Sequence, residues 1–212
     1  MHAMWPGAVR LTKLTRRPVS GASLTTPSHF QRPAPASHIL VYFIPGAAAD
    51  VRAGHRRLNW VWYVRADAEE VARLLVDKDG NSHRASLSPG LARPDAVSGL
   101  HALAKREVHP MLAELVAATL EPFVQTIVDV VVPNTLFGRI LLTGDAAFVV
   151  RPHTAGATAK AAYDALVLGK SLGRARSNVD VGLEEVERLQ LEYGGSLVQY
   201  GVELGDRWAK KT

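Results

Sequence analysis

The sequence contains no cysteine among its 212 residues. This absence excludes disulfide bonds, thiolate metal sites and cysteine nucleophiles, and it fits a reducing compartment. Any redox chemistry therefore has to come from a cofactor. The sequence has no H-E-x-x-H pattern of a zinc enzyme, so we expect no metal site. No apolar run reaches the ~18 residues of a membrane helix, which predicts a protein outside the membrane.

Acidic residues are missing from the first 49 positions, which hold five Lys or Arg residues. The rest of the chain is balanced, so the net charge of +5 arises at the N-terminus and does not indicate a nucleic-acid partner. Such a start is typical of a mitochondrial transit segment or of an unstructured terminus, and we favour the second. The prolines at 18, 27, 33 and 35 indicate a linker. We expect residues 1–37 to be disordered or a linker, in a cytoplasmic protein, with a mitochondrial location as the alternative.

From residue 38 onwards the apolar pattern predicts a mixed α/β (α+β) fold. Three segments rich in β-branched and aromatic residues predict strands, and a shorter one predicts a buried strand: 39–44, 58–65, 124–132 and 139–143. Helical spacing predicts helices over 68–76, over 95–120 with a kink at Pro110, and over two further segments near the C-terminus. Asp67 and Glu70 indicate a capping box on the first helix, and Gly194-Gly195 predicts a weak point in the last.

The stretch from Arg139 to Asp164 carries most of the chemical information. A strand ending in Gly144 and Asp145, then a proline-containing turn and a small-residue helix start, brings a carboxylate and free backbone N–H groups to one site. The carboxylate accepts hydrogen bonds from hydroxyls, and the N–H groups attract electron-rich oxygen. The pattern predicts a site for an anion or a nucleotide, and helix capping by the aspartate is the structural alternative.

Gly144-Asp145-Ala146-Ala147, with Pro152 and a glycine-containing helix start, resembles the second flavin-binding motif of class A FAD-dependent aromatic hydroxylases, the family with the p-hydroxybenzoate hydroxylase fold. Phe148, Arg151-Pro152-His153 and residues 158–161 are similar to the branch of 2,6-dihydroxypyridine 3-monooxygenase-like enzymes. Further matches extend the resemblance over residues 38–208, at 38–42, 44–46, 57–63, 121–125 and 204–208.

The resemblance implies FAD as the cofactor and a set of residues that bind it: Gly144, Asp145, Pro152, Ala155, Gly156 and Ala157. Asp145 would bind the ribityl hydroxyls, Pro152 would lie beside the reactive edge of the flavin ring, and the amides of residues 155–157 would face the pyrimidine oxygen. The resemblance also makes His153 a candidate catalytic base for a phenolic substrate. We interpret Lys160 as a solvated helix residue or a distant phosphate contact.

Three aromatic residues are candidate substrate-binding residues, namely Tyr42, Trp60 and Trp62. Two tryptophans on one face of a strand, with a tyrosine on the neighbouring strand, offer a stacking surface for an aromatic substrate. Packing in the core is the favoured alternative.

Members of this family begin with a strand, a G-x-G-x-x-G turn and a helix that bind the ADP part of FAD, and this sequence has no such motif. We therefore expect a C-terminal portion with the N-terminal Rossmann half absent. Its expected parts are a substrate-binding-domain-like sheet with helices over 38–132, a returning FAD-binding segment over 133–175 and a helical tail over 176–212.

The resemblance implies an FAD-dependent monooxygenase that hydroxylates a hydroxypyridine or a phenol with NAD(P)H and oxygen, and that is incomplete as it stands. The alternative is a non-catalytic truncated paralogue that binds a small molecule or a partner. The expected partners are a small aromatic substrate and either a second copy of the chain, in a homo-oligomer, or a complementing chain.

Overall fold

The computed structural model describes residues 2–15, 28–31, 37–176 and 178–210. The chain divides into two compact units, one formed by residues 6–126 and the other by residues 1–5 with 127–212. Helices and strands occur along the whole described chain, which confirms the predicted mixed fold. No helix in these described ranges is both long and apolar enough to cross a membrane.

The first unit is built on a sheet with the strand order β2-β3-β4-β1-β6-β5. The strands of this sheet are β1 (His2–Thr15), β2 (Ser28–Gln31), β3 (His38–Ile44), β4 (Arg57–Val64), β5 (Ser86–Leu87) and β6 (Phe123–Val131). Residues 2–5 of β1 and 127–131 of β6 belong to the second unit. The helices of the first unit are α1 (Ala68–Leu74), α2 (Pro94–Glu107) and α3 (Pro110–Ala117). The capping box on α1 is confirmed, because Asp67 accepts from the Glu70 amide and Glu70 accepts from the Asp67 amide. The predicted interruption at Pro110 separates α2 from α3.

The expectation of a disordered or linker segment over residues 1–37 is wrong for two of its parts. Residues 9–15 of β1 pair antiparallel with residues 58–64 of β4, and β2 pairs antiparallel with β3. These pairings join segments that are distant in the sequence, so neither composition nor local periodicity reveals them. Residues 1, 16–27 and 32–36 of that segment lie outside the described residues.

The core of the first unit lies on one face of β3 and β4. In their antiparallel register Ile39 is opposite Trp62 and Val41 is opposite Trp60, so these four side chains share a face. All four are almost completely buried, together with apolar residues of the three helices. The pairing of two neighbouring strands with one helical layer therefore fixes where the tryptophans point.

The second unit contains two long helices, α4 (Ala157–Ala175) and α5 (Val179–Lys210). Its short strands are β7 (Leu136–Phe137), β8 (Ile140–Leu141) and β9 (Phe148–Val149), of which β9 pairs with the end of β6. Helix α5 continues through Gly194 and Gly195, so the predicted weak point does not interrupt it. A Cβ atom at Gly194 would lie 2.4 Å from the Phe148 ring, so glycine here allows close packing.

The buried strand predicted over residues 139–143 is also wrong. Only Ile140 and Leu141 form a strand, and they pair with β7 in a separate two-stranded ribbon. Ile140 is 69% exposed. The apolar run folds back on the segment just before it, so its length and hydrophobicity did not indicate a place in the main sheet.

Candidate functional site

The predicted Gly-Asp motif forms a tight turn in the second unit. Gly144 has a φ of +58°, a conformation that glycine adopts without the steric cost of a Cβ atom. Its amide donates to Asp164 Oδ2 at 2.8 Å, and its carbonyl accepts from Lys160 Nζ at 3.1 Å. Asp145 follows in a short 3-10 turn and is exposed. Asp164 and Lys160 thus fix the backbone of the turn, while the Asp145 side chain is exposed to solvent.

Lys160 and Asp164 form a buried ion pair one helical turn apart on α4. Lys160 Nζ lies 2.7 Å from Asp164 Oδ2, and both side chains are 1% exposed. The ammonium group also lies 5.1 Å from the centre of the Phe148 ring. The interpretation of Lys160 as a solvated residue is therefore wrong, because the turn at Gly144 and the aromatic ring enclose it.

A second buried ion pair anchors the segment that contains Pro152. Arg151 donates to both carboxylate oxygens of Asp129 on β6, at 2.8–3.1 Å, and both side chains are about 95% buried. On the α5 side, a Cβ atom at Gly201 would lie 3.2 Å from Thr154 and 3.4 Å from Arg151. The segment is therefore fixed by β6 on one side and by a close approach to α5 on the other.

Two of the three backbone amides predicted to face the flavin donate hydrogen bonds within the chain instead. Ala155 adopts a left-handed conformation with φ of +51°, and its amide donates to the Pro152 carbonyl. The Gly156 amide donates to Thr154 Oγ1 at 3.0 Å. Gly156 provides no side-chain cap for α4, which begins at Ala157. Of the three predicted amides, that of Ala157 at the uncapped helix start is the one available to a ligand.

Pro152 and His153 lie in a 3-10 turn between the Arg151 anchor and α4. Pro152 is half-buried. The His153 side chain lies outside the described part of the chain, so its candidate role as a base stays a prediction. Among the described residues no three His, Asp or Glu side chains are grouped closely enough to hold a metal ion.

The three candidate substrate-binding aromatics do not share a surface. Trp60 and Trp62 are fully buried, and their indole N–H groups donate to Thr119 and Ser37 hydroxyls at 2.9 Å. Tyr42 is opposite Asn59 in the register, which places it on the other face of the sheet, where it is half-buried. The burial of both indoles favours core packing over substrate stacking.

Two features of this site were missed in the sequence. The i,i+4 spacing of Lys160 and Asp164 is a local signal for an ion pair on one helix face, although it does not indicate burial. Asp129 stands alone in an apolar strand, which is a signal for a buried carboxylate with a cationic partner. Nothing in the sequence identifies Arg151 as that partner, because the two residues meet only in the folded chain.

The model of the FAD binding domain-like family matches residues 5–129. The chain belongs to the FAD binding domain-like family. A curated relative, 2,6-dihydroxypyridine 3-monooxygenase of Paenarthrobacter nicotinovorans, is 31% identical over 158 residues, which is 74% of this chain and 38% of that protein. The predicted resemblance to FAD-dependent hydroxylases is confirmed.

Solved structures agree with this membership. The structure of 2,6-dihydroxypyridine-3-hydroxylase from Arthrobacter nicotinovorans has a TM-score of 0.80 at 25% identity, over 97% of this chain and 52% of that one. HpxO of Klebsiella pneumoniae, solved with FAD and uric acid, shares the fold with a TM-score of 0.66 at 19% identity, over 99% of this chain and 47% of that one. The chain thus spans about half of these solved chains, and 38% of the curated relative.

Proposed function

We propose that this chain supplies the flavin-contacting and substrate-binding parts of an FAD-dependent monooxygenase. Its substrate would be an activated aromatic ring of the hydroxypyridine or phenol type, with NAD(P)H as reductant and oxygen as co-substrate. The observation that carries the proposal is the anchored turn at Gly144, which presents the exposed Asp145 carboxylate. Membership of the FAD binding domain-like family and the similarity to a dihydroxypyridine hydroxylase support it.

The residues of the second unit fit the flavin and ribityl part of FAD. Asp145 is an exposed acceptor for ribityl hydroxyls, and the uncapped start of α4 offers the Ala157 amide to a carbonyl oxygen. Gly144, Pro152, Ala155 and Gly156 would shape the backbone against the ring. When bound, FAD would supply the redox chemistry and the activation of oxygen.

The chain itself would position the cofactor and handle protons. Preorganised donors lower the free energy of charge that develops on a bound ring, because they need no reorientation during the reaction. Two buried ion pairs, Lys160–Asp164 and Arg151–Asp129, hold the backbone on both sides of the site. His153 would accept the proton of a phenolic hydroxyl. Tyr42 is the candidate for contact with the substrate, since both tryptophans are buried.

The chain would be organised in three parts. Residues 38–132 would form the substrate-binding part, 133–175 the returning flavin segment and 176–212 a helical tail. The ADP part of FAD would be bound by a nucleotide-binding element other than these segments, and a complementing chain is a proposed partner. A homo-oligomer and a cytoplasmic or mitochondrial location belong to the same proposal.

A flavin titration tests this division of the cofactor. The purified chain should bind riboflavin and FAD with similar affinity, since it would contact only the part that they share, and ADP should not compete. Flavin fluorescence gives the dissociation constants. If the fluorescence of riboflavin and of FAD does not change as the protein is added, at any protein concentration, the flavin proposal fails.

The alternative function is a non-catalytic paralogue that binds a small molecule or a partner. Oxidation of NAD(P)H separates the two functions once the chain has been mixed with FAD and with the nucleotide-binding half of a relative. A hydroxypyridine or phenol should accelerate that oxidation if the first proposal is correct. A complex that binds flavin but shows no such acceleration supports the alternative.

A further inference from the structure

A cavity of about 300 Å³ lies in the unit of residues 6–126, where α1 and α2 meet the end of β4 and the start of β6. Its wall is apolar and contains Val64, Leu74, Val97, Leu100, Leu103 and Val124. This volume is at the lower end of the range for small-molecule pockets. All of its lining residues lie between positions 64 and 124, so none belongs to the proposed flavin segment.

Two of the five charged residues that line the cavity neutralise each other, and a third accepts a hydrogen bond within the chain. Glu70 accepts the Asp67 amide in the capping box of α1. Arg93 donates to both carboxylate oxygens of Asp95, at 2.9 and 3.0 Å. Its remaining guanidinium nitrogen, Nη1, donates to the carbonyl of Arg73. Arg93 and Asp95 therefore neutralise each other, whereas the Glu70 carboxylate keeps its charge and is held by the capping hydrogen bond.

The other two charged residues are Arg65 and Arg73. Both are exposed, and within the described part of the chain neither guanidinium group has a hydrogen-bond or ion-pair partner. The cavity thus combines an apolar wall with two exposed guanidinium groups that make no ion pair, and its five charged lining residues carry a formal net charge of +1. A guanidinium group presents paired N–H donors whose geometry matches a carboxylate.

We propose that this cavity binds an amphipathic monocarboxylate, with its apolar body against α2 and its carboxylate at Arg65 and Arg73. Burial of the hydrocarbon provides most of the affinity, and the two arginines select the anion over a neutral or cationic analogue. The proposed site shares no residue with the segment 144–157.

Octanoate, octanol and octylamine are the probes, because they share a chain length and differ in charge. In an NMR titration of the ¹⁵N-labelled full chain, octanoate should shift the amide signals of Leu74, Leu100 and Val124. Octanol should bind at least about fivefold more weakly and octylamine more weakly still. The proposal is overturned if octanoate does not bind, if octanol binds as tightly, or if the shifts map to other residues.

Substitutions at the rim test the contact with the carboxylate, and a substitution inside the cavity tests the contact with the apolar body. Arg65→Gln and Arg73→Gln should each weaken octanoate binding about fivefold and leave octanol binding unchanged. Gly99 lines the cavity and a Cβ atom there would meet open space, so Gly99→Leu should fill the cavity and abolish the binding of both probes.

Gly169→Leu is the matched control, because Gly169 is also a helical glycine with open space around its Cβ position and lies outside the cavity. It should bind octanoate like the unmodified chain, and thermal melts of all variants show that they fold. Unchanged octanoate affinity in both arginine variants, or in Gly99→Leu, contradicts the proposal.

Discussion

Asp145 is exposed, and the turn that precedes it is anchored by Asp164 and Lys160. If it accepts ribityl hydroxyl hydrogen bonds, each contributes roughly 1.5–3 kcal/mol because the acceptor is charged. We expect Asp145→Ala to weaken flavin binding at least about tenfold, since ~1.4 kcal/mol is a factor of ten. Flavin fluorescence titration measures the change.

Asp145→Asn is the control, because its amide oxygen still accepts hydrogen bonds but carries no charge. Its flavin affinity should lie between that of the unmodified chain and that of Asp145→Ala. The melting temperature should be unchanged in both variants, as expected for an exposed side chain. Unfolding of Asp145→Ala, with unchanged flavin affinity in the folded fraction, would show that the residue is a structural cap.

Lys160 is buried in its ion pair with Asp164. Its substitution by Met leaves the Asp164 carboxylate buried without its cation, which costs about 3–5 kcal/mol of unfolding free energy. The double variant Lys160→Met/Asp164→Asn should be less destabilised, because it leaves no uncompensated charge. Urea denaturation measures both.

Lys170→Met is the matched control on the same helix, because Lys170 is exposed. Its unfolding free energy should stay within about 0.5 kcal/mol of the parent value. Equal effects of Lys160→Met and Lys170→Met are incompatible with a buried ion pair.

Among the elements, α5 carries adjacent glycines with opposite surroundings. A Cβ atom at Gly194 would lie 2.4 Å from Phe148 Cδ2, whereas one at Gly195 would meet nothing within 4 Å. We expect Gly194→Ala to destabilise the chain by about 1–3 kcal/mol through overpacking. Gly195→Ala should stabilise it by about 0.5–1 kcal/mol through helix propensity. The two variants, compared by urea denaturation, should differ in sign, and a shared sign refutes the packing.

The turn that follows α1 depends on one carboxylate. Asp77 is bound by His83 Nε2 at 2.8 Å and accepts the amides of Asn81 and Asp79 at 2.9 Å. The bond from His83, then those from Asn81 and Asp79, lower the pKa of Asp77 far below its ordinary value of 3.8. A depressed folded-state pKa contributes stability that is complete above the unfolded value and is lost as the pH falls below it.

We therefore expect the melting temperature to fall as the pH is lowered through and below the ordinary carboxyl pKa of 3.8. Asp77→Asn should be less stable at neutral pH and should show a smaller loss on acidification. Asp79→Asn is the control, because Asp79 is an exposed residue of the same turn, and it should keep the acid dependence of the parent. An equal acid response in the parent and in Asp77→Asn contradicts the role of this carboxylate.

For the whole molecule, the sheet of the first unit depends on the N-terminal strand. β1 lies between β4 and β6 in the strand order. Deletion of residues 1–15 removes a central strand and exposes the backbone donors and acceptors of two neighbours, which favours aggregation. We expect the shortened chain to be unfolded or aggregated by circular dichroism and size-exclusion chromatography.

A synthetic peptide of residues 2–15, added in trans during refolding, should restore part of the native signal. A shortened chain that stays monomeric and melts at the parent temperature would show that β1 adds nothing to the sheet.

Several features of this fold follow from local signals that are visible in the sequence. Asp67 and Glu70 specify the start of α1, Pro110 separates α2 from α3, and apolar periodicity specifies the long helices. The Gly144-Asp145 motif was also readable, since it is a short run whose backbone chemistry depends on adjacent residues. These signals were sufficient for the mixed fold and for the family.

Contacts between residues that are distant in the sequence depend on how the folded chain packs. The pairing of β1 with β4, the placement of Tyr42 and Trp60 on opposite faces, and the burial of Lys160 all depend on partners that are distant or on packing. Strand register and burial follow from which segments pack together, and the free energy of that choice is spread over many residues. Composition and spacing indicate which secondary structure a segment prefers. The segments packed against it determine which structure it adopts and which of its residues are buried.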